Sequence, residues 1–106
     1  MYAFADFLKK IREEGGLTQV ELARILGVST MLISLLETRQ KEVSKAFIVK
    51  LAEKLEVRPS SISPFAYEEF GKKGEMLTLE KTLLDVGARL QEYLIRVKAK
   101  KLKNYV

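Results

Sequence analysis

The stretch Leu17–Thr38, LTQVELARILGVSTMLISLLET, constrains the fold of this chain more than any other. Thr18-x-x-Glu21 has the form of a capping box, in which each side chain satisfies a free backbone N–H at a helix start. Leu22, Ala23 and Leu26 then share one face of a short helix. Gly27 ends it, because a positive φ is cheap only for glycine. Ser29 supplies a second N-cap. Ile33 and Leu36, three apart, form the inner face of a helix from Thr30 to Thr38. The segment is therefore two short helices joined by a tight glycine turn.

The flanks extend the helical pattern. Phe4, Phe7, Leu8 and Ile11 follow i, i+3, i+4, i+7 spacing, and Gly15-Gly16 stops the helix they define. Arg39–Val43 is a polar connection. Ser44 caps a fourth helix with Phe47, Ile48, Leu51, Ala52 and Leu55 on one stripe. Arg58-Pro59 suits the start of a fifth, with proline in the first turn. Ser63-Pro64 repeats the signal, and a short helix to Phe70 is expected. Gly71-Lys72-Lys73-Gly74 is the one good linker candidate. Leu77–Lys101 reads as one long helix. No β pattern, repeat or low-complexity tract is visible.

Composition narrows the chemistry. The 106 residues contain no cysteine and no histidine. Disulfides, thiolate metal sites and cysteine nucleophiles are excluded, and so are the usual general base and metal ligand. No nucleophile–base or metal constellation stands out, so the expectation is no enzyme, no catalytic residue, no metal and no cofactor. No apolar run approaches the length of a membrane span, and the N-terminus lacks the apolar core of a signal peptide. The chain reads as cytoplasmic, with no membrane partner. The net charge is +5, a mild excess that permits nucleic-acid binding without demanding it.

Leu17-Thr18-Gln19, Leu22-Ala23, Gly27-Val28-Ser29, Ile33-Ser34, Glu37, Leu51-Ala52 and Leu55-x-Val57 together resemble the Cro/repressor (XRE) helix-turn-helix family, over about residues 4–65. The resemblance implies a five-helix repressor-type domain at 1–65; with the connection at 66–76 and the long C-terminal helix at 77–106 read from the residues themselves, the chain is expected to be all-α. The resemblance also implies that the third helix reads the DNA major groove. Ser29, Thr30, Met31, Ser34, Leu35 and Thr38 would then face the groove or its edge. Thr18 and Gln19 would lie at the phosphate backbone, aided by the positive helix N-terminus. Arg39 and Lys41 would hold the backbone after the helix. Arg12 and Glu37 match a structural ion pair of the family, locking the first helix to the third.

Two departures from the family pattern matter. Met31, Leu32 and Leu35 are apolar where arginine, lysine, glutamine or asparagine is usual. No side chain in Ser29–Leu36 can make a bidentate contact to guanine or adenine. Base reading would rest on hydroxyls, thymine-methyl contacts and DNA shape, favouring A·T-rich sites. The same apolar surface would suit a protein-interaction module that does not bind DNA. The second departure is Arg39, where the family commonly has glycine, with Val43 where proline is common.

Leu79, Leu83, Val86, Leu90, Tyr93 and Val97 are spaced as a heptad seam. The expected role is homodimerisation, spacing two recognition helices roughly 34 Å apart. The alternatives are that this helix folds back on its own domain or is buried against a different protein. Leu84, Leu94 and Ile95 widen the apolar face. Arg96, Lys98, Lys100, Lys101 and Lys103 form an acid-free basic end, expected to be a solvated terminus whose cations suit the helix dipole, with contact to phosphates or RNA as the alternative. The expectation is thus a dimeric, sequence-specific regulator of double-stranded DNA, acting as a repressor. The rival readings are the antitoxin of a toxin–antitoxin pair, with a toxin as protein partner, and the interaction module.

Overall fold

Helix α1 (Phe4–Glu14) buries Phe4, Phe7, Leu8 and Ile11 as one stripe, as their spacing requires. The computed structural model describes residues 2–62 and 88–106, and every regular element among these is helical. Gly15 keeps a right-handed φ of −73°, while Gly16 takes the left-handed φ of 67° that closes the cap. The Leu17 N–H then bonds back to the Arg12 carbonyl at 3.0 Å.

Helix α2 (Gln19–Leu26) opens with the complete capping box. The Glu21 N–H donates to the Thr18 hydroxyl at 3.1 Å, and the Thr18 N–H to the Glu21 carboxylate at 3.0 Å. Gly27, at φ 68°, ends it. Helix α3 (Thr30–Glu37) is capped by Ser29, whose hydroxyl accepts the Leu32 N–H at 3.1 Å. Helix α4 (Lys45–Leu55) is capped the same way by Ser44. The fifth helix, within the described residues, is one tight turn over Pro59–Ser61, followed by the fully buried Ile62. The expected short helix to Phe70, the 66–76 connection and the seam residues Leu79, Leu83 and Val86 lie outside the described residues.

The C-terminal segment departs from expectation. It is helical over residues 88–93, widens over Leu94–Lys98 and tightens over Ala99–Tyr105. The wide turn is closed by the Ala99 N–H reaching the Leu94 carbonyl, five residues back. Leu94, Ala99 and Leu102 are fully buried, in the same core as α1 to α4. This is the fold-back alternative to a free dimer seam. Residues 88–106 are folded back and belong to the first domain's core. Leu90, expected on a dimer seam, packs against that core as well.

Two close contacts fix this docking. A Cβ built on Gly15 would lie 3.0 Å from the Ala99 carbonyl oxygen, so any larger residue there would press the segment outward. Gln91, fully buried, accepts the Tyr2 N–H at 2.8 Å and donates to the Tyr2 carbonyl at 2.9 Å. Both polar ends of its side chain are thus satisfied, which keeps its burial from being destabilising.

Candidate nucleic-acid interface

The chain turns through 113° between α2 and α3. That angle, with a short glycine turn, matches the geometry by which a first helix crosses the DNA backbone while the second enters a groove. Ala23, buried beside α3, is small enough to let the two helices meet. Ile33 and Leu36 anchor the inner face of α3 in the core.

The outer face of α3 carries the expected residues. Ser29, Thr30 and Thr38 are exposed, and Ser34 and Leu35 are half-buried. Met31 is 71% exposed, an unusual state for a large apolar side chain. The Thr38 hydroxyl donates to the Ser34 carbonyl at 2.7 Å, so its remaining capacity toward a ligand is as an acceptor.

Arg12 and Glu37 form a bidentate pair, with Nε–Oε2 at 2.9 Å and Nη2–Oε1 at 3.0 Å. Only 3% of the Glu37 side chain is exposed. The hydrogen bond to Glu37 raises the Arg12 pKa above its ordinary value, against the opposing effect of burial. Arg12 also donates to the Leu17 carbonyl at 3.0 Å, so one guanidinium joins α1, the α1–α2 turn and α3. Gln19 donates to Glu37 Oε1 at 3.3 Å. Its amide is thus held against the end of α3 in the free protein. Phosphate contact by Gln19 would exchange or share that bond.

The exit from α3 shows what replaces the missing glycine. Arg39 itself adopts the left-handed conformation, φ 61°, and the Gln40 N–H bonds to the Leu35 carbonyl at 2.9 Å. The helix ends as a glycine would end it, with strain of order 1–2 kcal/mol for a residue bearing a Cβ. The Arg39 guanidinium pairs with Asp6 of α1 at 2.6 Å, and both side chains are about half exposed. Lys41 is exposed beyond it.

Three residues bearing on this surface escaped the motif. Val20 is exposed beside Gln19 at the start of α2. Asp6 competes for Arg39. Lys103 reaches the α1–α2 turn from the far end of the chain. Asp6 was findable, since the stripe of α1 turns it outward. The other two needed the structure.

Of the expected seam, Tyr93 and Val97 are 49% and 48% exposed on the outside of the C-terminal segment. Among the described residues no cluster of three acidic side chains offers a metal site. No single helix among them is long and apolar enough to cross a membrane. A family model described as helix-turn-helix matches residues 8–62. No curated protein and no solved structure matches the chain.

Proposed function

Because the chain belongs to the Cro/C1-type helix-turn-helix family of DNA-binding regulators, we propose that it is a dimeric, sequence-specific repressor that lays α3 in the major groove. The observation that carries this reading is the pose of α3. Ile33 and Leu36 hold it in the core, while Thr30, Met31 and Thr38 stand exposed on its other side. Thr18 and Gln19 meet the phosphates, and Arg39 and Lys41 hold the backbone past the helix end. Base reading falls to the hydroxyls of Thr30 and Ser34 and to methyl contacts from Met31 and Leu35, which favours A·T-rich half-sites.

Support for pairing comes from Tyr93 and Val97. They are apolar and half exposed, and they continue the heptad spacing set by Leu79, Leu83 and Val86. Two copies joined there would repress by occupying a promoter at two half-sites.

Selection of binding sites from random duplexes, with the protein's mass measured in solution, tests both parts. The expected outcome is an A·T-rich inverted repeat bound by a dimer, with half-sites about 34 Å apart. A strongly constrained G-rich motif would overturn the account of base reading. A monomer that selects no site would overturn the function itself. That second result would favour a protein-interaction module, for which the exposed Met31 is the supporting observation.

A further inference from the structure

The acid-free run Arg96, Lys98, Lys100, Lys101 and Lys103 is not a uniform solvated terminus. Arg96 pairs with Glu92 one turn away, and Lys101 pairs with Glu56 at the end of α4. Lys103 has a different setting. A Cβ built on Gly16 would lie 3.2 Å from its Cε and 3.6 Å from its Nζ, so its side chain lies across the bare backbone of the α1–α2 turn. Gly16 sits two residues before Thr18, the cap of α2. No carboxylate lies within ion-pair distance of the Lys103 ammonium among the described residues.

We propose that Lys103 is part of the DNA interface: the folded-back terminus carries its ammonium across Gly16 to the phosphates beside Thr18 and Gln19. The proposal rests on the DNA-binding reading above and adds to it a residue from outside the matched helix-turn-helix region.

The local chemistry favours this role. Glu21, in the first turn of α2, would repel a phosphate. Its carboxylate is already held by the Thr18 backbone N–H and hydroxyl, which lower its pKa, and the field of Lys103 acts in the same direction. The ammonium therefore offsets the one acidic charge in that turn. Gly16 has no side chain to obstruct the lysine stem. The docking of Leu102, fully buried next to it in the chain, fixes where the stem begins.

The test uses the full chain and a mixed-sequence duplex, since a phosphate contact acts on all sequences alike. Affinity is measured against salt for wild type, Lys103→Gln, Lys103→Arg and Lys101→Gln. Each phosphate contact contributes about 0.9 to the slope of log K against log salt, or about 3.5-fold in affinity between 50 and 200 mM. Lys103→Gln is expected to lower the slope by about that amount with an unchanged melting temperature, and Lys103→Arg to restore it. Lys101→Gln removes the same formal charge elsewhere and is expected to leave the slope near wild type. A wild-type slope in Lys103→Gln, or equal losses in Lys103→Gln and Lys101→Gln, would overturn this proposal alone. A wild-type chain without salt-dependent binding would overturn the DNA reading and this proposal with it.

Discussion

Leu102 lies four residues from the end of the chain, yet its side chain is fully buried. Leu102→Ala therefore separates a folded-in terminus from a solvated one. Removing three buried carbons forfeits about 0.8 kcal/mol each, roughly 2.4 kcal/mol in all, before any cavity is counted. With partial relaxation of the neighbours around the cavity, a total of about 3 kcal/mol is expected. For a domain of this size that lowers the melting temperature by about 12–24 °C. Circular dichroism follows the transition, with urea titration checking that the midpoint moves while m does not. Val97→Ala is the control on the same segment, because Val97 is half exposed. The Leu102 effect should be independent of protein concentration, since its contacts lie within one chain, whereas a concentration-dependent effect at Val97 would report pairing. If Leu102→Ala melts within about 2 °C of wild type, the terminus is an ordinary surface site and the fold-back reasoning fails.

Arg39 gives a second test, through the backbone. At φ 61° glycine is relieved of about 1 kcal/mol of strain that alanine retains, so Arg39→Gly should melt roughly 4–8 °C above Arg39→Ala, the reverse of their usual order. Both variants lose the Asp6 pair equally, which removes it from the comparison. The acid limb gives a third. Glu21 is held below the usual carboxylate range by the Thr18 N–H and hydroxyl, and Glu56 by its hydrogen bond from Lys101. Stability from both groups is present above the unfolded carboxylate pKa and is lost as pH falls through the lower folded values. Melting temperature recorded downward from pH 7 should fall below about pH 4.5 in wild type and fall less in Glu21→Gln/Glu56→Gln.

The elements α1 to α4 were legible because their signals are local. Thr18, Ser29 and Ser44 each cap the helix that the sequence assigns to them, and Gly27 turns the chain where only a positive φ will do. The Arg12–Glu37 contact was legible from the family pattern, across 25 residues. The path of the terminus was not. Its apolar residues do not share one face: Tyr93 and Val97 stand half exposed, while Leu90, on the same heptad spacing, packs against the core that Leu94, Ala99 and Leu102 enter. Spacing alone does not say which of them meet the core. The wide turn over Leu94–Lys98 compounds this, since one extra residue rotates the side chains beyond it by about 100° relative to a regular helix. The left-handed Arg39 was equally hidden, because no glycine marks it. Lys103 read as one cation among five, and only the position of Gly16 singles it out.

The size of the motif explains why the terminus returns. The helix-turn-helix region alone spans about 60 residues, a length that buries only about 60% of the surface its unfolded chain exposes. Among the described residues the fifth helix contributes the turn at Pro59–Ser61, and Ile62, Leu94, Ala99 and Leu102 share the core with α1 and α4. The segment that completes the core also carries the exposed Tyr93 and Val97 on its outer side. A pairing contact on that side would join the DNA-reading domains through an element packed into each of them, rather than through a loose linker. The separation of the two α3 helices would then be set by the close approach of Gly15 to the Ala99 backbone and by the buried Gln91. DNA spacing would be as stiff as the core, because movement of the outer face would require undocking the inner one.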